Sequence, residues 1–395
     1  MSATAPSGRL SPQRRLVVVQ ALAAFGDEAF AISLPLSLLA LGVSKSAPTI
    51  THGVLYLSLV SSGFLVGHRV DGRETFRFIR RGMLAAAATT ASSLIALTAG
   101  INPLAVAVAT VACLGVSGAL VAGAIDAGAA RVSDSDTRRL YSSIETVRRT
   151  ASMVGPTVGG LVAGFGLRLV MTVYLALFVM GIGVSRGRQL PAPERPTAEA
   201  SRAWVETLGE FRRNRSLLGG VATSSAINIG TGALVPISLV RLRTEFHTQV
   251  SAIGLMMAVV GCVTIGVAQL AGRTRRGNIV VAALCCAFAA ALVPLLPSAA
   301  LLVGVLCVGS GAEVFFNVRW RSFRQSVTAP QRLGGVSAWC RSLAYIWVAA
   351  ASFLASGLMA LGAGPGAAQL VLGLASVLIV SLVACSRLRP AMPVE

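Results

Sequence analysis

Residues 103–127, PLAVAVATVACLGVSGALVAGAIDA, form one apolar run whose only charge, Asp126, comes at its end. A helix of about 20 such residues crosses the hydrocarbon of a bilayer. No water is present there, so a spanning chain must satisfy its own backbone groups, as an α-helix or a closed barrel. A barrel strand alternates in polarity over about ten residues. This run does not alternate. It is built from Ala, Val, Leu and Gly and reads as a transmembrane helix.

Outward from this run, similar ones recur along the chain. Spans are expected at 15–41, 48–68, 81–100, 103–127, 140–165, 168–186, 216–240, 248–272, 277–296, 299–320, 333–360 and 364–386. The composition agrees: 54% of the 395 residues are hydrophobic and 12% are charged, whereas a soluble domain carries about 25% charged residues. The longest polar stretch, 187–215, contains Pro191, Pro193 and Pro196. It then reads as an amphipathic helix from Ala198 to Arg213, with Trp204, Leu208 and Phe211 on one face. The stretch reads as a cytoplasmic linker between an N-terminal bundle (15–186) and a C-terminal bundle (216–386), with tails at 1–14 and 387–395. The expected fold class is an all-α membrane protein: twelve transmembrane helices in two pseudo-symmetric six-helix bundles.

A net charge of +19 would point to nucleic acid in a soluble chain. Here the basic residues sort by loop. With the N-terminus inside, Arg73/Arg77/Arg80/Arg81, Arg138/Arg139, Arg212/Arg213/Arg215 and Arg273/Arg275/Arg276 all fall on the inner side. The outer loops hold Lys45, Arg168, Arg241 and Arg243. This is the positive-inside pattern. It predicts a multi-pass plasma-membrane protein with both termini cytoplasmic, the bilayer as its surroundings, and no nucleic-acid partner. High Ala, Gly and Arg content points to a GC-rich bacterial source.

The seven cysteines, Cys113, Cys262, Cys285, Cys286, Cys307, Cys340 and Cys385, all lie in apolar runs. None has the spacing of a metal site or a disulfide framework, so they read as small packing residues. His52, His68 and His247 are scattered near span ends. No metal, cofactor or nucleotide-binding P-loop is expected, which speaks against an enzyme.

The two halves are related. A shift of 193 residues places Gly118 on Gly311, Arg131 on Arg324, Arg139 on Arg332, Leu140 on Leu333 and Arg148 on Arg341. A shift of 201 places Asp27 on Asn228 and Pro35 on Pro236. Two halves in parallel repeat are a known transporter design.

Ionisable residues inside a span are functional candidates by default. Of 15 acidic residues, five fall at membrane depth: Asp27, Glu28, Asp126, Glu145 and Glu313. Asp27 lies about 18 Å into its span at 1.5 Å per residue, near the midplane, with Asn228 its counterpart. Low dielectric disfavours a charged carboxylate, so Asp27 is a candidate to bind and release a proton, or to meet a cationic substrate. Glu28 faces about 100° away round the helix; which of the two lines a cavity stays open. Glu145 precedes Arg148 and Arg149 by three and four residues, a pairing distance on a helix. This group is read as a gate or as a permanently paired cluster. Arg341 repeats Arg148 in span 11, where Ala338 replaces the Glu. Glu313, beside Phe315, Phe316 and Asn317, suits a cationic or amphipathic ligand or simple packing. Asp126, at the inner end of span 4, is a gating candidate. Gly155-Pro156-Thr157-Val158-Gly159-Gly160 in span 5 reads as a hinge or close-packing face.

Twelve spans, basic inner loops, a central linker and a repeated half resemble the major facilitator superfamily over nearly the whole length. Gly155-Pro156-x-x-Gly159-Gly160 resembles the span 5 antiporter motif of exporters, with Ala151 where the family places a further Gly. The stretch near Val348 to Phe353 in span 11 lacks the pattern. Gly67-His68-Arg69-Val70-Asp71-Gly72-Arg73 resembles the family's gating loop between spans 2 and 3, with its basic residues displaced. Phe25-Gly26-Asp27-Glu28 followed by Leu34-Pro35-Leu36 resembles the branch that holds macrolide and siderophore exporters. A common span 4 arginine is replaced by Leu114, which leaves Asp27, Glu28 and the Glu145/Arg148/Arg149 group as coupling candidates. The resemblance implies proton-coupled export of a small amphipathic organic compound by a monomer that alternates access. A proton-coupled nutrient importer and a non-transporting receptor or assembly protein are the alternatives.

Overall fold

A computed structural model describes residues 11–70, 75–129, 134–186, 209, 211, 213–273, 278–328 and 333–386. All regular structure among them is helical. The helices are α1 (Pro12–Ala40), α2 (Ala47–Val70), α3 (Thr75–Thr98), α4 (Pro103–Ala129), α5 (Asp134–Ala163), α6 (Leu167–Val184), α7 (Arg215–Thr231), α8 (Leu234–Thr244), α9 (Val250–Arg273), α10 (Ile279–Leu292), α11 (Ala299–Val327), α12 (Leu333–Ala360) and α13 (Pro365–Cys385). A 3₁₀ turn, Val293–Leu295, extends α10. Since α7 and α8 together make span 7, the twelve expected spans are present. The expected linker helix lies outside the described residues, apart from 209, 211 and 213; Phe211 is buried in the C-terminal core.

Helix starts follow local chemistry. Pro103 and Pro365 begin α4 and α13, where a missing N–H costs nothing. Asn214 and Asn278 cap α7 and α10 by accepting from the N–H groups of Leu217 and Val280, supplying acceptors for donors left orphaned at helix starts. Gly100 and Gly166, at φ +78° and +95°, turn the chain between spans 3 and 4 and between spans 5 and 6, a backbone region that favours glycine.

Span 7 departs from the sequence expectation of one helix over 216–240: it breaks at Gly232–Ala233. The cause is Pro236, whose ring nitrogen cannot donate to the Gly232 carbonyl. Ser352 Oγ takes the place of that donor at Gly232 O (3.1 Å). Gln369 Nε2 and Ser376 Oγ donate to two further carbonyls of this span, Gly230 O (2.9 Å) and Ala226 O (2.7 Å).

The helix contacts repeat. In the first half, α1 packs on α5 and α6, α2 on α4, and α3 on α4 and α6. In the second half, α7 packs on α12 and α13, α9 on α11, and α10 on α11 and α13. These are the same pairs six spans later, which is what two copies of one bundle require. The halves join chiefly through α5 against α9 and α2 against α12. A shared core of Ile32, Leu36 and Ala163 with Leu239, Leu242, Ile253 and Met257 sits at the end remote from the N-terminus.

Candidate functional site

On the N-terminal side of that seam, a cleft of about 390 Å³ opens between the halves. Small-molecule pockets start near 300 Å³, so it admits a small organic compound. Glu28 lines it from α1; Arg148, Arg149 and Ser152 from α5; Thr264 and Ala268 from α9; Asn317 and Arg321 from α11. Apolar surface comes from Ile265, Val314 and Val318.

Glu28 is therefore the member of the acidic pair that faces the cleft. Asp27, one residue earlier, accepts a hydrogen bond from the hydroxyl of Tyr174 on α6 (2.8 Å). Arg148 lies within electrostatic range of both carboxylates. The Tyr174 ring is held by stacking on Phe30 (4.4 Å, 11°) and by an edge contact with Phe178 (4.6 Å). Asp27, Glu28 and Glu313 each lie within electrostatic range of the Tyr56 hydroxyl on α2. Glu313 stands one residue before the cleft-lining Val314.

The span 5 motif touches this group directly. A Cβ at Gly155 would lie 2.6 Å from Glu28 Cβ, and one at Gly159 would overlap the Ala29 carbonyl oxygen. The glycines let α5 lie backbone to backbone on the turn of α1 that carries Asp27 and Glu28. One position further, Gly160 meets Gly254 of α9 across the seam, and the carbonyl of Pro156 is 3.0 Å from a Cβ placed at Gly254. One motif thus contacts both the acidic pair and the opposite half.

Phe316 is 1% exposed, in the C-terminal core with Trp320 and Phe323; a rotation of about 100° separates it from its cleft-lining neighbour Asn317. Asn228 is partly buried on α7, and its carbonyl accepts from Gly232 N–H (2.9 Å). Arg341 is exposed on α12. Gly67 is in α2. Asp71, Arg73 and the side chains of Asp126 and Glu145 lie outside the described residues. Cys286 and Cys340 are buried, and all seven cysteines are free thiols.

Sequence reasoning missed Tyr56, Tyr174, Thr264, Arg321 and the His52–Ser352 contact between halves. A polar-tipped aromatic at mid-span depth was the available signal for the two tyrosines.

Residues 16–352 match the family model of the Major Facilitator Superfamily. No curated protein matches in sequence. Among solved structures, the nucleoside transporter NupG is similar at TM-score 0.75 and 12% identity, over 94% of this chain and 98% of that one. A bacterial homologue of the human lysosomal transporter Spinster, inward-facing and unoccupied, gives 0.72 and 12%, over 95% of each chain. A D-xylose-proton symporter gives 0.67 and 14%, over 96% and 99%. The chain belongs to the major facilitator superfamily and is a transporter, not an enzyme.

Proposed function

We propose that this protein is a proton-coupled exporter of a small amphipathic organic compound, working as a monomer in a bacterial plasma membrane. The observation that carries this reading is the seat of the exporter-type glycine motif on Glu28–Ala29. A proton arriving at the acidic pair changes the charge beside Gly155 and Gly159. The same helix face meets Gly254 of the other half, so a local change of charge bears on the contact that decides which side is open.

The cycle follows from the arrangement. With the termini cytoplasmic, the cleft opens to the cytoplasm and the seam closes the outer side. A substrate enters between Glu28, Arg148 and Arg321, with its apolar part against Ile265, Val314 and Val318. The halves rock, the outer seam parts, and the substrate leaves. A proton binding to the Asp27–Glu28 pair from outside favours the return, and its release inside resets the site. The ligand and the proton each act through their different affinities for the two states.

The test is transport in inverted membrane vesicles with an imposed pH gradient over a panel of amphipathic organic compounds. Gradient-driven accumulation supports export. Accumulation in right-side-out vesicles alone would make the protein an importer.

A further inference from the structure

We infer that His52 and Ser352 are positioning residues that latch the outer end of the transporter and set the balance between its two facing states. Nothing in the transport reading above uses either residue, and the inference holds for either direction of transport and any coupling ion.

The geometry is a chain of two hydrogen bonds across three helices. Ser352 Oγ on α12 donates to Gly232 O, the carbonyl left without a helical donor by Pro236. A serine hydroxyl has one hydrogen. That hydrogen is committed, so the 3.0 Å contact between His52 Nδ1 and Ser352 Oγ has the imidazole N–H as donor. His52 is on α2 in the N-terminal half; Ser352 and Gly232 both belong to the C-terminal half. Only the His52–Ser352 bond therefore crosses the halves, and the Ser352–Gly232 bond survives any rigid-body motion between them.

The surroundings make this bond specific to one state. Ser352 is fully buried. A Cβ at Gly53 would lie 3.0 Å from the Phe353 ring. One turn further in, Tyr56 meets Tyr345 edge-on at 5.1 Å and the His52 ring at 4.7 Å. Rocking to the outward-open state must separate α2 from α12 along this row. The bond then breaks and its partners wait for water. A net hydrogen bond of ordinary strength shifts a two-state ratio about five-fold.

Hydrogen exchange on the full-length protein in nanodiscs tests this. The variants are His52→Ala, Ser352→Ala and the double variant. In each single variant, amides of 50–56 and 346–353 should exchange about five-fold faster. Amides of 148–152 and 264–268, around the cleft, should exchange more slowly as the inner side closes. The double variant should match the single ones, because both remove the same cross-half bond. Unchanged exchange at the seam, faster exchange at both ends alike, or an additive double variant would overturn the inference. If Ser352→Ala does not fold, His52→Ala alone decides, since it leaves the Ser352–Gly232 bond in place.

Discussion

Gly155→Ala puts the contact between the glycine motif and the acidic turn to a direct test. An added methyl would lie 2.6 Å from Glu28 Cβ and 3.1 Å from Ala29 N. Carbon atoms rest about 3.5–4.0 Å apart, so α1 and α5 must separate by about 1 Å at this level. The obstacles are a Cβ and a backbone atom, and no rotamer change removes them. Overpacking of this kind costs about 1–3 kcal/mol. The better helix propensity of Ala returns about 1 kcal/mol, leaving a net loss of about 0–2 kcal/mol. Gly118→Ala is the matched control: it is also mid-helix, and its Cβ meets nothing within 4 Å, so only the propensity gain remains. Purified proteins would be melted in one detergent and assayed for transport in proteoliposomes. Gly155→Ala should melt below the native chain and transport poorly, while Gly118→Ala melts at or above it. If the two variants melt together, α5 does not depend on close approach to Glu28 and the reasoning fails.

Two further outcomes are expected. Tyr174→Phe keeps the ring stacked on Phe30 but removes the hydrogen bond to Asp27, a contact worth about 0.5–1.5 kcal/mol net. Coupled transport should fall several-fold and the melt should drop slightly; full transport would remove Tyr174 from the site. Gln369→Leu leaves the carbonyls of Gly230 and Ala290 without their side-chain donor, at about 1–3 kcal/mol each if they stay dry. The variant should melt lower than the native chain, and an unchanged melt would show that the break in span 7 needs no such bridge.

Much of the architecture was legible because a bilayer admits few solutions. Apolar runs located the spans, and constant offsets such as Arg148 to Arg341 paired the halves. Depth along span 1 singled out Asp27 and Glu28, and small-residue spacing singled out Gly155, Gly159 and Gly160. What stayed hidden depends on rotation and on distant partners. Phe316 and Asn317 are neighbours in sequence, yet one is core and the other lines the cleft. The break in span 7 was not read from Pro236, and the donors that bridge it, Ser352 and Gln369, come from 120 and 139 residues away. His52 and Ser352 are 300 residues apart, a separation at which periodicity carries no information. Tyr174 reaches Asp27 from another helix, which only packing decides.

In the proposed cycle, protons drive export through the Asp27–Glu28 pair. The most direct measurement is gradient-driven accumulation in inverted vesicles for the native chain, Asp27→Asn and Glu28→Gln, each checked for folding by its melting temperature. The account predicts that the native chain responds to the pH gradient and that neutralising the pair abolishes this response in a folded protein. A full gradient response in both variants would contradict it and move coupling to Glu313 or Glu145.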